Sequence, residues 1–187
     1  MPFTILCTRR AFMEYSEIVK FQGHACPGLA IGYRMATAAV EKLGAPRAKD
    51  EELVAIVENN ACGVDALQCV TGCTFGKGNL IFRDYGKRVF TLYSRKKKRG
   101  SRVVFNGHKI PGQVRENRDA FAEWILNAPQ DDMLSVTSAI VEEPNPAEVQ
   151  RSVNCAFCGE LVMESRLRPF DGKPACIPCA EGPNLCK

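Results

Sequence analysis

The chain has 187 residues, of which 45% are hydrophobic and 25% charged, so it can bury one good core and still form a small second domain. No apolar run approaches the ~18 residues that a membrane-spanning helix needs, and no membrane partner is expected. The formal net charge of +4 arises from one basic cluster, and the rest of the chain is mildly acidic.

The cysteine content indicates a reducing compartment. Ten cysteines occur, and residues 1–7 lack the basic stretch that precedes the apolar run of a signal peptide. Many cysteines without an export signal are typical of metal or thiol chemistry in a reducing cytosol, not of a disulfide framework. We therefore expect a cytoplasmic protein.

The first predicted elements are two helices joined by a turn. Apolar side chains recur at helical spacing over residues 14–21, and a Gly-His-Ala-Cys-Pro-Gly turn follows at residues 23–28. The second helix is expected from about residue 28 to 43, ended by Gly44 and Pro46. Its many small residues would let another helix or a sheet approach closely.

The turn places a thiol and an imidazole beside the start of a helix. Proline is favoured at the first helical position, so Cys26 lies at or next to the N-cap, where free N–H groups and the helix dipole stabilise an anion. A thiol there is expected to have a lowered pKa, which suits a nucleophile or a metal ligand. His24 offers a second ligand or a proton acceptor, and these two residues are the candidate catalytic pair. The alternative is a tight turn into a core helix with an incidental Cys and His.

A second cysteine-bearing segment follows a predicted buried strand at residues 53–57. It is expected to turn from a strand end into a helix, on which Cys62, Cys69 and Cys73 share one stripe if the helix extends that far. Core packing is the interpretation for Cys69. Cys62 stands where a strand delivers residues to the edge of a site.

Residues 72–79 form a glycine-rich segment that contains Lys77. The segment does not match a phosphate-binding P-loop, which needs four residues between its first glycine and Gly-Lys and then Ser or Thr. A glycine-rich loop can still approach a ligand closely. We therefore predict that Asp65, Cys73 and Lys77 orient or neutralise a bound group.

The middle of the chain predicts a β-hairpin. Apolar runs at residues 80–85 and 89–93 flank Gly86 and Lys87, and residues 102–105 would add a third antiparallel strand.

Between the last two strands, residues 95–99 and Arg102 bring six positive charges into eight positions. Such a cluster can mark a phosphate or nucleic-acid surface. A solvated hairpin tip is the simpler account, because no aromatic residues interleave the charges.

An amphipathic helix over residues 118–126 and a final strand over 133–141 complete the first domain. The predicted fold is therefore α+β, with helices packed on an antiparallel sheet. Composition changes most clearly at the Glu-Glu-Pro-Asn-Pro stretch after this strand. We divide the chain into a core domain at 1–143, a linker at 144–152 and a small domain at 153–187.

The small domain carries two Cys-x-x-Cys pairs separated by 17 residues: Cys155 with Cys158, and Cys176 with Cys179. This spacing is typical of a Cys₄ zinc ribbon, in which four thiolates hold one structural zinc without an open position. So short a segment cannot form a sufficient core alone, so the fold and the metal depend on each other. Four basic and four acidic residues balance in this domain, which disfavours nucleic-acid binding and favours a protein contact.

Three separated segments, at residues 23–32, 62–66 and 71–80, resemble the FmdE/FwdE-like family of formylmethanofuran dehydrogenase, whose longer members append a zinc ribbon. The resemblance implies an α+β core that forms an intertwined homodimer, with the ribbon near the partner's core. It also implies a second metal, zinc or another transition metal, held by His24, Cys26 and Cys62. The parent complex uses pterin and iron–sulfur cofactors, but no ferredoxin-type cysteine run occurs here, so this chain is not expected to carry that redox chemistry.

Three functions remain open from the sequence. The first is a metal-binding accessory protein or small enzyme of C1 or thiol metabolism, in which three protein ligands leave a position for substrate. The second is a zinc-finger regulatory or interaction protein that contacts protein or nucleic acid, or senses a metal. The third is a dithiol redox protein that pairs Cys26 with Cys62 or Cys73.

Overall fold

The computed structural model describes residues 13–182. The chain separates into two compact units, Met1–Pro146 and Ala147–Lys187. The division lies inside the segment 144–152 that the sequence marks as a linker. Cys7 and Cys186 lie outside the described residues.

The described part of the first unit contains five helices and five strands. The helices are α1 (Tyr15–Gln22), α2 (Pro27–Leu43), α3 (Gly63–Thr71), α4 (Gly112–Glu116) and α5 (Arg118–Asn127). The strands are β1 (Leu53–Val57), β2 (Leu80–Phe82), β3 (Val89–Ser94), β4 (Arg99–Phe105) and β5 (Leu134–Ala139).

Helix α2 is the centre of this unit. It begins at Pro27, directly after its N-cap Cys26, and ends before Gly44, whose φ of 64° is the left-handed conformation that favours glycine. Ten of its 17 residues are buried, and five of those ten are Gly or Ala. Because its surface is so smooth, α3, α5, β3 and β4 all pack against it.

The sheet has the strand order β2-β1-β3-β4-β5. Strand β1 pairs parallel with β2 and antiparallel with β3, and the remaining pairs are antiparallel. The predicted hairpin between residues 80–85 and 89–93 is therefore wrong. All five residues of β1 are buried, and this strand inserts between the two that the local sequence would pair.

The predicted α+β class is confirmed, although the sheet is mixed and not wholly antiparallel. The hairpin of β3 and β4 forms around the basic cluster, with registers from Val89 opposite Val104 to Ser94 opposite Arg99. Helix α5 covers the amphipathic segment predicted at 118–126, and β5 lies inside the predicted final strand. The extent of α2 also matches its prediction within one residue.

The second unit consists of two small hairpins and a short helix in its described part. Strands β6 (Ser152–Asn154) and β7 (Leu161–Met163) form one hairpin, and β8 (Arg168–Phe170) and β9 (Lys173–Ala175) form the other. Helix α6 (Ile177–Glu181) follows. Between residues 13 and 182, no helix has both the length and the apolarity that a membrane crossing requires.

Candidate metal centre

Cys26 lies at the start of α2. It is the N-cap of the helix, with extended backbone, and its Sγ accepts a hydrogen bond from the Leu29 N–H at 3.3 Å. Only 6% of the residue is exposed. The helix N-terminus thus turns one thiol sulfur into a buried acceptor, at the position that the sequence indicates.

Cys62 is brought to the same place by a close helix crossing. It directly precedes α3, and the next residue, Gly63, meets Gly32 of α2 so closely that a Cβ on Gly32 would lie 2.2 Å from the Gly63 Cα. A Cβ on Gly28 would stand 3.6 Å from the Cys62 Cβ and 3.8 Å from the Cys26 Sγ. The glycines of the two helices therefore bring their starting cysteines together.

His24 completes a group of three donors with Cys26 and Cys62, whose ligand atoms all lie within 4.8 Å of one another. His24 is exposed, Cys62 is half-buried and Cys26 is buried, so the group opens to solvent on the imidazole side. Ligands on a tetrahedral zinc stand about 3.8 Å apart at most. The donor set and its spacing fit a soft or borderline metal ion.

The electrostatics of the pair also fit a cation. Burial raises the pKa of the Cys62 thiol, and the hydrogen bond and the charge of Cys26 raise it further. Two neighbouring thiols resist ionising together, and a bound cation is the partner that relieves this repulsion.

Tyr15 of α1 adds a hydroxyl beside the centre. Its oxygen is buried and makes no hydrogen bond of normal geometry within residues 13–182. Burial raises the pKa of this phenol, and the charge of Cys26 adds to the effect. The ring contacts that of Tyr33, with centroids 5.5 Å apart, which fixes its position. A neutral O–H donor is therefore held at the buried side of the thiol pair.

A cavity of about 110 Å³ adjoins the three donors. Its wall includes Gly28 and Gly63, the neighbours of the two cysteines, and it extends to Arg88, Phe90 and Phe121. The space holds a group of a few non-hydrogen atoms. A small ligand therefore has room next to the centre.

The structure does not bring Asp65, Cys73 and Lys77 to this cavity. Asp65 accepts a hydrogen bond from Gln68 at 3.4 Å and lies close enough to Cys62 to raise its pKa. The Lys77 Nζ lies within 3.5 Å of the backbone oxygens of Lys49 and Asp50.

Cys73 is fully buried and follows the end of α3, which stops at Thr71. The helix therefore does not extend far enough for the predicted stripe of three cysteines. Burial raises the pKa of the Cys73 thiol to about 11, which suits core packing and not nucleophilic attack. Cys69 is buried in the same core, in agreement with its interpretation as a packing residue.

The four cysteines of the second unit form the other candidate site. The Sγ atoms of Cys155, Cys158, Cys176 and Cys179 all lie within 4.8 Å of one another. The N–H groups of Phe157 and Cys176 donate to the Cys155 Sγ at 3.5 and 3.2 Å. Backbone N–H groups, that of Cys158 first, lower the pKa of Cys155 to about 6. The cluster fits a zinc ribbon.

The basic cluster at residues 95–102 is largely bound within its own unit. Lys97 donates to the Leu43 and Gly44 carbonyls at the end of α2, at 3.0 and 2.9 Å. Arg95 donates to Glu51 and Pro144 backbone oxygens. Three further side chains have partners: Lys98 with Glu143, Arg99 with Leu43, and Arg102 with Glu58. These bonds favour the structural interpretation of the cluster.

Sequence reasoning missed Arg88 and Phe121, which line the cavity from the residue before β3 and from α5. No local motif marks them, because they lie 33 positions apart and meet only through the packing of α5. The hydrophobic period of α5 was the single signal that could have placed Phe121 on the inner side.

Comparison with known proteins gives a consistent assignment. Residues 21–141 match the family described as FmdE, Molybdenum formylmethanofuran dehydrogenase operon. A crystal structure of a tungsten formylmethanofuran dehydrogenase FmdE-like protein from Syntrophus aciditrophicus superposes with a TM-score of 0.70 and 27% identity, covering 92% of this chain and 95% of that chain.

A protein of Archaeoglobus fulgidus, described as a probable S-adenosyl-L-methionine-binding protein, is 33% identical over 190 residues. The alignment covers 86% of this chain and 50% of that protein, so the chain spans half the length of this relative. The resemblance predicted from the three sequence segments is confirmed. Because the family match covers more than half of the chain and contains all three core donors, the chain belongs to the FmdE family.

Proposed function

We propose that the chain is a metal-dependent accessory protein or small enzyme of one-carbon or thiol metabolism, with its reactive centre at His24, Cys26 and Cys62. The observation that carries the proposal is the convergence of these three donor atoms within 4.8 Å at two helix starts. Family membership supports the one-carbon setting.

Zinc is the metal that this donor set favours, because it accepts thiolate and imidazole together and three protein ligands are typical of catalytic zinc. When bound, the ion would supply a Lewis acid with a position left for substrate or water. The ribbon's four thiolates would hold a second zinc without such a position, in a structural role.

The chain's own residues have separate tasks in this proposal. The cavity wall at Gly28 and Gly63 admits a small group beside the donors, since neither residue has a side chain to block it. The buried Tyr15 hydroxyl holds a proton next to Cys26. Phe90 and Phe121 exclude water from the far side of the cavity.

Metal content per chain tests the proposal. We expect about two zinc ions in the full chain, about one in His24→Ala/Cys26→Ala, and about one in Cys155→Ser/Cys158→Ser. Cys69→Ala is the matched control, because it removes a buried thiol outside both clusters and should keep both ions. A full chain with one ion, lost only in the ribbon variant, would contradict the core centre. S-Adenosyl-L-methionine enters the ligand screen as a test compound, since one relative is named for it.

A second candidate function, an interaction module, is favoured by the ribbon surface. Four apolar side chains are exposed there: Phe157, Leu161, Met163 and Phe170. The rings of Phe157 and Phe170 pack edge to face with centroids 5.4 Å apart, so part of this surface is ordered. We take a second copy of the chain as the partner, in the intertwined homodimer that the family resemblance implies.

Sedimentation of the full chain tests the interaction role. We expect a dimer that Leu161→Ser/Met163→Ser weakens, and a metal content that this variant leaves unchanged. A monomer at micromolar concentration would contradict the homodimer. We also propose a cytoplasmic location, supported by the lack of disulfides among the eight cysteines of residues 13–182.

A further inference from the structure

A second cleft in the first unit is larger than the cavity at the metal centre, with a volume of about 560 Å³. The cationic side chains that line it are Lys87, Arg88, Arg102 and Arg115. Its apolar surface includes the rings of Phe105 and Phe121. This volume is typical of small-molecule sites, and the sign of the charge indicates an anionic ligand.

Most of this positive charge is not neutralised by the described part of the protein. The Arg102 guanidinium lies 3.5 Å from the carboxylate of Glu58, which is 9% exposed. Within residues 13–182, no carboxylate forms an ion pair with Lys87, Arg88 or Arg115. Three cationic groups therefore face one cleft without a counter-charge.

Two of the arginines are held in place by neutral groups. The Arg88 guanidinium lies over the Phe105 ring, 5.6 Å from its centroid. Arg115 donates one N–H to the Gly107 carbonyl. Each guanidinium has five N–H donors in a fixed plane, so both retain donors for an oxyanion. The cleft is thus prepared for a carboxylate or a phosphate before a ligand arrives.

The cleft is continuous with the cavity at the metal centre. Arg88 and Phe121 line both spaces, so these two side chains form the wall between them. The inner cavity ends at Gly28 and Gly63, next to the two ligand cysteines. A ligand can therefore place its anion in the outer cleft and a small group in the inner cavity.

We propose that the outer cleft recognises the anionic end of the substrate, a carboxylate or phosphate joined to a flat apolar group that packs on Phe105 and Phe121. The opposite end is a group of a few non-hydrogen atoms beside His24, Cys26 and Cys62. The role of that end rests on the metal-dependent function proposed above, whereas recognition of the anion stands on the cleft alone.

Calorimetric titration of the full zinc-loaded chain with simple probes tests the cleft. Phenyl phosphate and benzoate combine an anion with a ring, whereas inorganic phosphate and benzyl alcohol each supply one of the two features. We expect saturable 1:1 binding of phenyl phosphate or benzoate at least tenfold tighter than of either partial probe, and weaker in high salt. Comparison of the two anionic rings identifies which oxyanion the arginines prefer.

Arg88→Gln and Arg115→Gln should each weaken this binding at least fivefold, because each removes a charged donor while keeping a polar side chain. Arg83→Gln is the matched control, since Arg83 is exposed and does not line the cleft. Equal affinity in all three variants, or tighter binding of an RNA oligonucleotide than of phenyl phosphate, would overturn the proposal.

The metal-free variant His24→Ala/Cys26→Ala separates this inference from the proposed function. Retained binding of the anionic ring in that variant supports the cleft even if the core centre holds no metal. Two zinc ions per chain without any binding of the anionic rings would overturn the cleft and leave the metal centre intact.

Discussion

Gly32 and Gly63 are in backbone contact where α2 crosses α3, and a Cβ on Gly32 would lie 2.2 Å from the Gly63 Cα and 2.3 Å from its oxygen. This contact decides how near the two helix starts come. Because Cys26 begins one helix and Cys62 precedes the other, the glycine pair sets the spacing of two of the three core donors.

Gly32→Ala should therefore destabilise the core and weaken its metal centre together. The added methyl group meets backbone, which cannot rotate away, so we expect a loss at or above about 3 kcal/mol in the free energy of unfolding. Urea unfolding followed by fluorescence of Trp124, the single tryptophan, reports on this unit. Gly112→Ala, where an added Cβ meets nothing within 4 Å, is the matched control and should change stability by less than about 1 kcal/mol. Equal stability of the two variants would contradict the crossing.

Asn79 offers a second test, because its amide joins three backbone groups behind β1 and β2. Its Nδ2 donates to the Asp50 and Leu53 carbonyls at 3.0 Å each, and its Oδ1 accepts from the Thr74 N–H at 2.9 Å. Asn79→Asp keeps the shape but turns the donor toward two carbonyls into a carboxylate oxygen. Since the residue is fully buried, we expect a loss of about 3 kcal/mol or a failure to fold at neutral pH.

The matched control for Asn79 is Asn127→Asp, which alters an exposed amide that donates to the Glu123 carbonyl at 2.9 Å. It should cost less than about 1 kcal/mol, because water replaces the lost bond. Thermal unfolding of both variants near neutral pH checks the difference. A neutral result for Asn79→Asp would show that this amide is not a junction of the fold.

Local signals were sufficient wherever a single stretch of chain determines the structure. Pro27 and Gly44 bound α2 within a residue of the prediction, because N1 proline and left-handed glycine act within one turn of helix. The two Cys-x-x-Cys pairs converge as their spacing predicts. The core donors needed the family resemblance, since Cys62 is 36 residues from Cys26 and no local pattern relates them.

The predictions failed where distant segments decide the pairing. Gly86-Lys87 between two apolar runs is a good hairpin signal, yet β1 pairs with both neighbours and residues 83–88 form no strand. A strand buried at all five positions needs partners on both edges, and that non-local gain exceeds the value of one local turn. The anion cleft escaped prediction for the same reason, because its cations come from strands, a loop and α4.

Arg34 ties α2 to the end of α5 and yields a third prediction. Its guanidinium donates to the carbonyls of Ile125, Leu126 and Ala128 at 2.7, 2.7 and 2.8 Å, and so satisfies the last turn of α5. Arg34→Met should cost about 2–4 kcal/mol, since three carbonyls lose a charged donor. Arg34→Lys should recover part of the loss, because an ammonium keeps the charge but lacks the planar fork.

Hydrogen exchange of the α5 amides measures this effect directly. In Arg34→Met the last turn of α5 should exchange at least tenfold faster than in the parent chain, and the wall formed by Phe121 should loosen with it. Arg118→Met at the other end of α5 is the control, because this exposed side chain should leave exchange unchanged. Identical exchange in the two variants would argue against the clamp.

The buried thiol of Cys73 predicts how stability depends on alkaline pH. Burial raises the pKa of this thiol to about 11 in the folded chain, against about 8.5 when unfolded, so the folded state binds the proton more tightly. Its contribution is therefore complete below about pH 8.5 and is lost as the pH rises through 11. By this linkage the parent chain should lose about 2 kcal/mol at pH 10 relative to pH 7.5 through this one group. Cys73→Ala leaves a small cavity and is less stable at pH 7.5, but it has no proton to lose. Urea unfolding of both chains under reducing conditions, followed at Trp124, should show the gap between them shrinking as the pH rises; a gap that stays constant would mean that Cys73 ionises as readily in the folded chain as in the unfolded one.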